Sequence, residues 1–479
     1  MKFIGNVRQV AGKIGGKISG IFEKTKLNDL AGKIGFVQRS TSKIKGEDFV
    51  SLMTTEILGE EPVTTESLCD ILRQINPEAD MTPQALNERI NRGEAAEYMK
   101  EVFKAAFMAN LAPVRSGISP MLLSPFDRVF LEDSTQITLH EKLAGEFRGS
   151  GGSASKSAIK IDLTYDAKQE IFHKILIDSG NIPDQSRADE ILTELRKNDL
   201  ILRDLGYFTL NSLSEIGEKN AFFLSRLLKG VNVYLSSDDD AIPVSLPKYL
   251  NKKSGSLTVT ETNVYLGEEK LPCRLVAYRL PDEVVAERCG KARNNAQKKG
   301  RQPPKDYLNW LRFGLFVTNV PPEIWEAEVI GTVCRLRWQI ELTFKYWKSL
   351  LKIHIIRGIR RERVECFLCG RLTAVVIVAM FCGYASWYAY NYLKKEASFH
   401  KLINWLRRKD RLAKAVRSGS LNELFGELLK NISKSLCKQK RKRRTTHQLL
   451  EERIPYMDSF SPETPKIIIN IEFYLKRLT

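Results

Sequence analysis

Residues 372–390, LTAVVIVAMFCGYASWYAY, run for 19 positions without a charge. Such a run either crosses a bilayer, which takes about 20 apolar residues, or is wrapped by a core large enough to hide it. Its second half is rich in Gly, Ser, Tyr and Trp, and it follows a heavily charged stretch, HIIRGIRRERVE at 354–365. No other stretch of the chain resembles it. We therefore read it as a helix buried inside a protein, with no membrane involved. A chain of 479 residues has material for such a core, enough for about three domains.

Composition narrows the partner. Hydrophobic residues at 43% and charged residues at 28% are those of a globular chain, not a disordered one. Lys plus Arg outnumber Asp plus Glu by 75 to 57, a net +18, which favours a polyanion. Nucleic acid comes first and an anionic membrane surface second, and charge alone does not separate them. The eight cysteines follow no regular spacing, so reduced thiols in a cytoplasmic protein are expected, nucleoid-associated if its polyanion is DNA. Cys366-x-x-Cys369 lacks a second ligand pair, so it is not read as zinc-binding. The first residues, MKFIGNVRQVAGKIGGKISG, lack the apolar core of a secretory signal.

The hydrophobic period changes along the chain. From Glu47 to about Leu111 it is helical, and TTESLCDIL…MTPQALNERI reads as two capped helices joined by a turn. That pair fits a helix-turn-helix and ordinary scaffolding equally. Near residue 128 the pattern switches to alternation, with Val129, Leu131, Asp133, Thr135, Ile137 and Leu139 on one face of a strand. AIKIDLTYD alternates again, leaving Asp162 and Asp166 on its polar face. KILIDS follows as a strand, then a helix over about 186–197, then LILRDLGYF. Short β segments fill about 231–320, interrupted by the basic piece ERCGKARNNAQKKGRQPPK, and helical patterning resumes near Glu323. The expected organisation is a helical N-terminal DNA-binding region over 1–115 and a mixed α/β core beginning at 116–230. A β-rich insertion over 231–320 follows, then the second part of the core over 321–400 and a basic helical region over 401–479. The tail run KSLCKQKRKRR, 434–444, either contacts DNA or is a solvated tail.

Two aspartates interrupt apolar strand faces. Asp133 stands between Leu131 and Thr135, and Asp204 ends the run LILR before Gly206. A buried carboxylate without a partner costs several kcal/mol, so each is a strand-end aspartate tied to backbone or a metal ligand. A third carboxylate stands in CRLRWQIELTFKYWKSL, 334–350. At about 100° per residue, Val333, Leu336, Ile340, Phe344, Trp347 and Leu351 form one stripe of a single helix. Cys334, Arg337, Glu341, Lys345 and Lys348 follow at its edge. Asp133, Asp204 and Glu341 together supply the oxygen ligands that a pair of Mg²⁺ ions takes, with Mn²⁺ able to substitute, and such a pair suits phosphodiester chemistry. Arg337, Lys345 and Lys348 would hold phosphates beside them.

These residues resemble the Tyr-x2-Arg-x3-Glu-x6-Lys signature of bacterial insertion-sequence DDE transposases. Arg337, Glu341 and Lys348 match its Arg, Glu and Lys, while Cys334 stands at its Tyr. The EDST and DLGYF stretches resemble the blocks carrying that family's two aspartates, and the likeness covers most of 27–350. It implies an RNase H-like catalytic core with a β-rich insertion before the Glu helix, flanked by helical N- and C-terminal regions. It also implies cut-and-paste transposition, with Asp133, Asp204 and Glu341 catalytic and binding two metal ions. Double-stranded DNA, both element ends and target, is the implied substrate, and a homodimer on paired ends the implied assembly. Cleavage through a hairpin requires a displaced base held by an aromatic side chain, for which Trp310 and Phe313 are candidates. A thiol at 334 is a poor substitute for a phenol's phosphate contact, so Arg335 or Lys345 would make up the contact. Lys291, Arg293, Lys298, Lys299 and Arg301 of the basic piece would line DNA or belong to a solvated helix. The rival readings are a transposase-derived DNA-binding protein that has lost catalysis, a plain nuclease using the same carboxylates, and a membrane-associated basic protein.

Overall fold

The structure, a computed structural model, describes residues 2–39, 41–60, 63–111, 119–151, 155–254, 258–439 and 444–460. Lys440 to Arg443 of the basic tail run therefore lie outside the described residues. The chain forms two compact units, each assembled from three segments, so the linear five-part division expected from sequence is regrouped.

The first unit comprises Met1–Ile118, Ser134–Ile182 and Glu341–Gln439. Its axis is the helix Arg361–Leu393, which contains the whole uncharged run. Among the described residues this is the one helix long and apolar enough to cross a membrane, and 89% of its most apolar window is covered by protein. Its start packs Cys366, Phe367 and Cys369 among Phe36, Phe49, Leu72, Tyr98 and Val102 of the N-terminal region. Gly370 permits the closest approach, since a Cβ there would lie 2.3 Å from the Met53 carbonyl oxygen. Further along, Phe381 stacks on Phe425 at 4.4 Å and the Tyr384 hydroxyl donates to Val7 O at 3.2 Å. Even Arg371, at the edge of the run, is buried and donates to Leu351 O and Lys352 O at 3.1 and 2.8 Å. A helix apolar on every side is stable only in such surroundings.

The capped pair is present as helices Thr65–Ile75 and Pro83–Ile90, with the Thr64 and Thr82 side chains accepting from Ser67 N and Ala85 N. Strands β2 (Ala158–Asp166) and β3 (Ile171–Ser179) form an antiparallel hairpin. The strand order in this unit is β3-β2-β1, where β1 is Val129–Thr138 and enters at Ser134. β2 is buried on both faces, so Asp162 and Asp166 do not lie on the polar face expected of them. Asp166 instead accepts from Lys168 N and Gln169 N at 2.9 and 3.1 Å and closes the hairpin turn.

The second unit comprises Ser119–Asp133, Pro183–Ile340 and Lys440–Thr479. Here β1 pairs in parallel with β4 (Leu200–Arg203), and β4 in parallel with β5 (Phe222–Arg226). The insertion then adds β6 (Val233–Tyr234), β7 (Val259–Leu266), β8 (Leu271–Arg279) and β9 (Phe313–Thr318), giving the order β1-β4-β5-β9-β8-β7-β6. All pairs from β5 outward are antiparallel. Parallel pairing of β1, β4 and β5 is what an RNase H-like core requires of this unit. The insertion is not a separate body: Phe130, Ile201 and Phe223 share one hydrophobic cluster with Leu275 and Val317.

The helix expected over 186–197 is absent. The segment makes two 3₁₀ turns, Asp184–Arg187 and Leu192–Glu194. In an α-helix the Ala188 carbonyl would accept from Leu192 N. Instead it accepts from the buried Arg203 guanidinium, and Leu192 N turns to Asp189 O at 3.1 Å.

Candidate active site

The site is built from strand register. β1 pairs with β4 as Val129↔Leu200 through Leu131↔Leu202, and β4 with β5 as Leu200↔Phe222 through Arg203↔Ser225. Continuing both registers sets Asp133 opposite Asp204, and Asp204 opposite Arg226. Directly opposed residues share a face, so two carboxylates and a guanidinium stand in one row across three strands. The row directly beneath points the other way and is also charged. Buried Glu132 lies 3.4 Å from buried Arg203 Nε, and Arg203 also donates to Tyr207 O and Ser212 Oγ at 3.1 and 2.8 Å. That anchored pair fixes the backbone on which Asp133 and Asp204 sit. Asp133 is not at its strand's end, because β1 runs on to Thr138; it stands where the pairing with β4 gives out.

Arg337 completes the group. Its Nη1 is 3.6 Å from Asp133 Oδ2 and its Nε is 3.7 Å from Asp204 Oδ1. Arg226 Nη2 donates to the same Asp204 oxygen at 2.9 Å. Burial pushes the Asp204 carboxyl up, but Arg337, Arg226 and the Leu205 backbone N–H outweigh it and hold the group below the usual carboxylate range. Cys334 stands within reach of Arg226, Arg337 and Asp204, and burial pushes its thiol up.

The single helix expected around these residues is interrupted. It runs as an α-helix over Ala327–Cys334, a 3₁₀ turn over Arg335–Arg337 and an α-helix over Trp338–Ser349. The apolar stripe is nonetheless inside, with Val333, Leu336, Ile340, Phe344, Trp347 and Leu351 all buried. Glu341 is in the first turn of the second helix, four residues beyond Arg337, half-buried and belonging to the first unit. In that unit Lys345 is exposed and Lys348 half-buried, its ammonium pushed down by burial.

Among the described residues no three or more His, Cys, Asp or Glu side chains are gathered as ligands for one ion. Asp133 and Asp204 are nonetheless hard oxygen donors on one face, the donor chemistry that suits Mg²⁺ or Mn²⁺. The basic piece lies in the second unit on the helix Asp282–Gln297 and the loop after it. Arg293, Lys298, Lys299 and Arg301 are exposed, while Lys291 pairs with Glu287 at 2.7 Å. Of the two aromatic candidates, Phe313 is the first residue of β9 and is core at 3% exposed. Trp310 ends the helix Lys305–Trp310 and is half-buried at the edge of the same cluster.

Sequence reading passed over Arg226. Its one signal is that it ends an apolar run, FFLSR, as Asp204 follows LILR, but only the register turns that likeness into an ion pair. It also passed over the Glu132–Arg203 pair and Tyr456, whose buried phenol stands beside Arg335.

The chain is similar to known proteins. A family model described as the transposase DDE domain matches residues 124–377. The transposase for insertion sequence element IS231B of Bacillus thuringiensis subsp. berliner is 32% identical over 367 residues, covering 73% of this chain and 76% of that one. The transposase for IS1151 of Clostridium perfringens is 29% identical over 376 residues, covering 74% and 77%. Among solved structures, a piggyBac transposase synaptic complex with hairpin DNA matches at 11% identity with a TM-score of 0.44, covering 89% and 86%, a likeness too distant to argue from.

Proposed function

The chain belongs to the DDE-domain transposases of bacterial insertion sequences, and from that we propose that it cuts the terminal inverted repeats of its own element and joins the freed 3′ ends to target DNA. The observation carrying this reading is the cross-strand pair Asp133 and Asp204 gripped by Arg337. Asp133, Asp204 and Glu341 are the residues that would hold two Mg²⁺ ions, or Mn²⁺ in their place. When bound, such a pair activates the attacking oxygen and stabilises the departing one.

The chain's own residues do the positioning. Arg337 orients the two aspartates and helps keep Asp204 ionised, and Arg226 holds Asp204 from the neighbouring strand. Lys345 and Lys348 neutralise backbone phosphates, fixing the duplex without reading its sequence. Water breaks one P–O bond at the element end, and the released 3′-hydroxyl attacks the opposite strand to give a hairpin. Trp310 is the better placed of the two aromatics to stack the displaced base, since Phe313 is engaged in the core. Arg293, Lys298, Lys299 and Arg301 extend the basic track. Two chains act together on paired ends.

The test uses labelled duplex carrying the inverted repeats, purified protein and Mg²⁺, with products resolved on a denaturing gel. A hairpinned end that disappears with Glu341→Gln establishes the reading. Binding with no strand breakage under Mg²⁺ or Mn²⁺ would mean that the carboxylates are relics and the protein only holds DNA.

A further inference from the structure

The row Asp133, Asp204, Arg226 continues onto β9, where Phe316 is the partner of Arg226. Tyr456 packs there. Its ring lies edge-on to Phe316 at 5.7 Å and to Tyr278 at 4.6 Å, and it is 2% exposed. The segment carrying it follows the helix Ala327–Cys334: Thr332 Oγ1 donates to Ile454 O at 2.9 Å, and Tyr456 N to Glu328 O at 2.7 Å. Gly331 makes the seat, because a Cβ there would lie 2.4 Å from a Tyr456 ring carbon.

Three arginines gather at this phenol. The Arg335 guanidinium lies 5.0 Å from the ring centre and donates to the hydroxyl. Arg288, half-buried on the helix Asp282–Gln297, is held by a bond from Nη1 to Phe313 O at 3.3 Å, one residue before Gly314, where a Cβ would lie 3.7 Å from the Tyr456 ring. Arg226 approaches along the row. Arg226 has Asp204 as counter-charge, whereas no carboxylate among the described residues pairs with Arg288. Burial pushes both Arg288 and Arg335 down, the direction expected of cations short of solvent. A desolvated guanidinium favours an anion that can accept two of its N–H groups at once, as a phosphate does.

We propose that Arg226, Arg288 and Arg335, gathered about the buried hydroxyl of Tyr456, form a pocket for one DNA phosphate beside the Asp133/Asp204 pair. The pocket rests on the reading of this chain as a DNA-acting transposase. Tyr456 is its positioning residue: the ring fills the seat on Gly331 and the hydroxyl holds Arg335 in place.

The experiment is equilibrium binding of the full chain to inverted-repeat duplex by fluorescence anisotropy, without divalent metal, across a salt series. Arg288→Gln is expected to weaken binding roughly tenfold or more and to reduce the salt slope by about 1. Tyr456→Phe keeps the ring and should lose affinity severalfold with an unchanged melting temperature. A scan of single methylphosphonates along the duplex should find one position that weakens wild type but not Arg288→Gln. Unchanged affinity and slope in Arg288→Gln, or equal sensitivity of both proteins at every methylphosphonate, would overturn the pocket. End cleavage by wild type on the same duplex with Mg²⁺ separates the two readings: cleavage with Arg288→Gln binding as wild type overturns the pocket alone, whereas a wild type that binds the duplex and never cuts it overturns the transposase reading. If wild type ignores the duplex while inorganic phosphate raises its Tm and not that of Arg288→Gln, the site takes free phosphate and the DNA assignment is overturned.

Discussion

Replacing Arg337 with methionine removes a charge shared by Asp133 and Asp204 while keeping an apolar stem in its place. The guanidinium lies 3.6 and 3.7 Å from the two carboxylates. At an effective dielectric of about 20, each such pair is a gross attraction of about 4–5 kcal/mol. Desolvation of the buried cation offsets much of this, so the net loss at pH 7 is about 3–5 kcal/mol, the usual cost of stranding a partner of a buried pair. The pH dependence carries the diagnostic. In the wild type, burial raises the Asp204 carboxyl but Arg337 and Arg226 prevail and lower it. A lowered folded pKa contributes stability above the unfolded value of about 3.9, and that stability is lost as pH falls through the folded pKa. Without Arg337 the largest lowering influence is gone and burial is opposed by Arg226 and the Leu205 N–H, so the Asp204 carboxyl moves upward and protonation relieves the variant as pH falls from 7 towards 4.5. The stability gap between the two proteins should narrow by about 1.4 kcal/mol for each tenfold gain in the carboxyl's proton affinity. Urea denaturation followed by tryptophan fluorescence at pH 7 and pH 4.5 measures both. Equal midpoints at pH 7, or a gap that does not change with pH, would refute the claim that Arg337 keeps Asp204 ionised.

On the proposed metal chemistry, in which Asp204 and Glu341 would each supply an anionic ligand, Asp204→Asn and Glu341→Gln should each reduce single-turnover end cleavage by about 10³-fold or more. Arg203→Met should destabilise the second unit by about 3–5 kcal/mol by leaving Glu132 buried without it. The double variant with Glu132→Leu should recover most of that loss, and additive denaturation midpoints would contradict the pairing. Gly331→Ala should cost about 1–3 kcal/mol by overpacking against Tyr456, seen as a lowered Tm, and Tyr456→Ala in the same chain should relieve part of it.

The sequence by itself determined what depends on neighbours in the chain. The charge-free run at 372–390 had to be hidden, the alternation around Asp133 had to be a strand, and Thr64 and Thr82 had to cap helices, because these follow from local periodicity and backbone chemistry. The order Asp133, Asp204, Glu341 and the basic residues after it were legible for the same reason, as a motif. Their spacing meant more than the motif disclosed, since 204 − 133 is also the register offset between Val129 and Leu200. The tertiary structure decided the rest. Arg203 took the Ala188 carbonyl and so dissolved the helix expected over 186–197. A tight 3₁₀ turn carries Arg337 to the two carboxylates and interrupts a helix whose apolar stripe was otherwise well read. Arg226, Arg288 and Tyr456 come from segments that local pattern cannot relate. They are brought near one another by strand register, which sets Arg226 beside Phe316, and by the packing of the Tyr456 ring on Phe316 and Gly331.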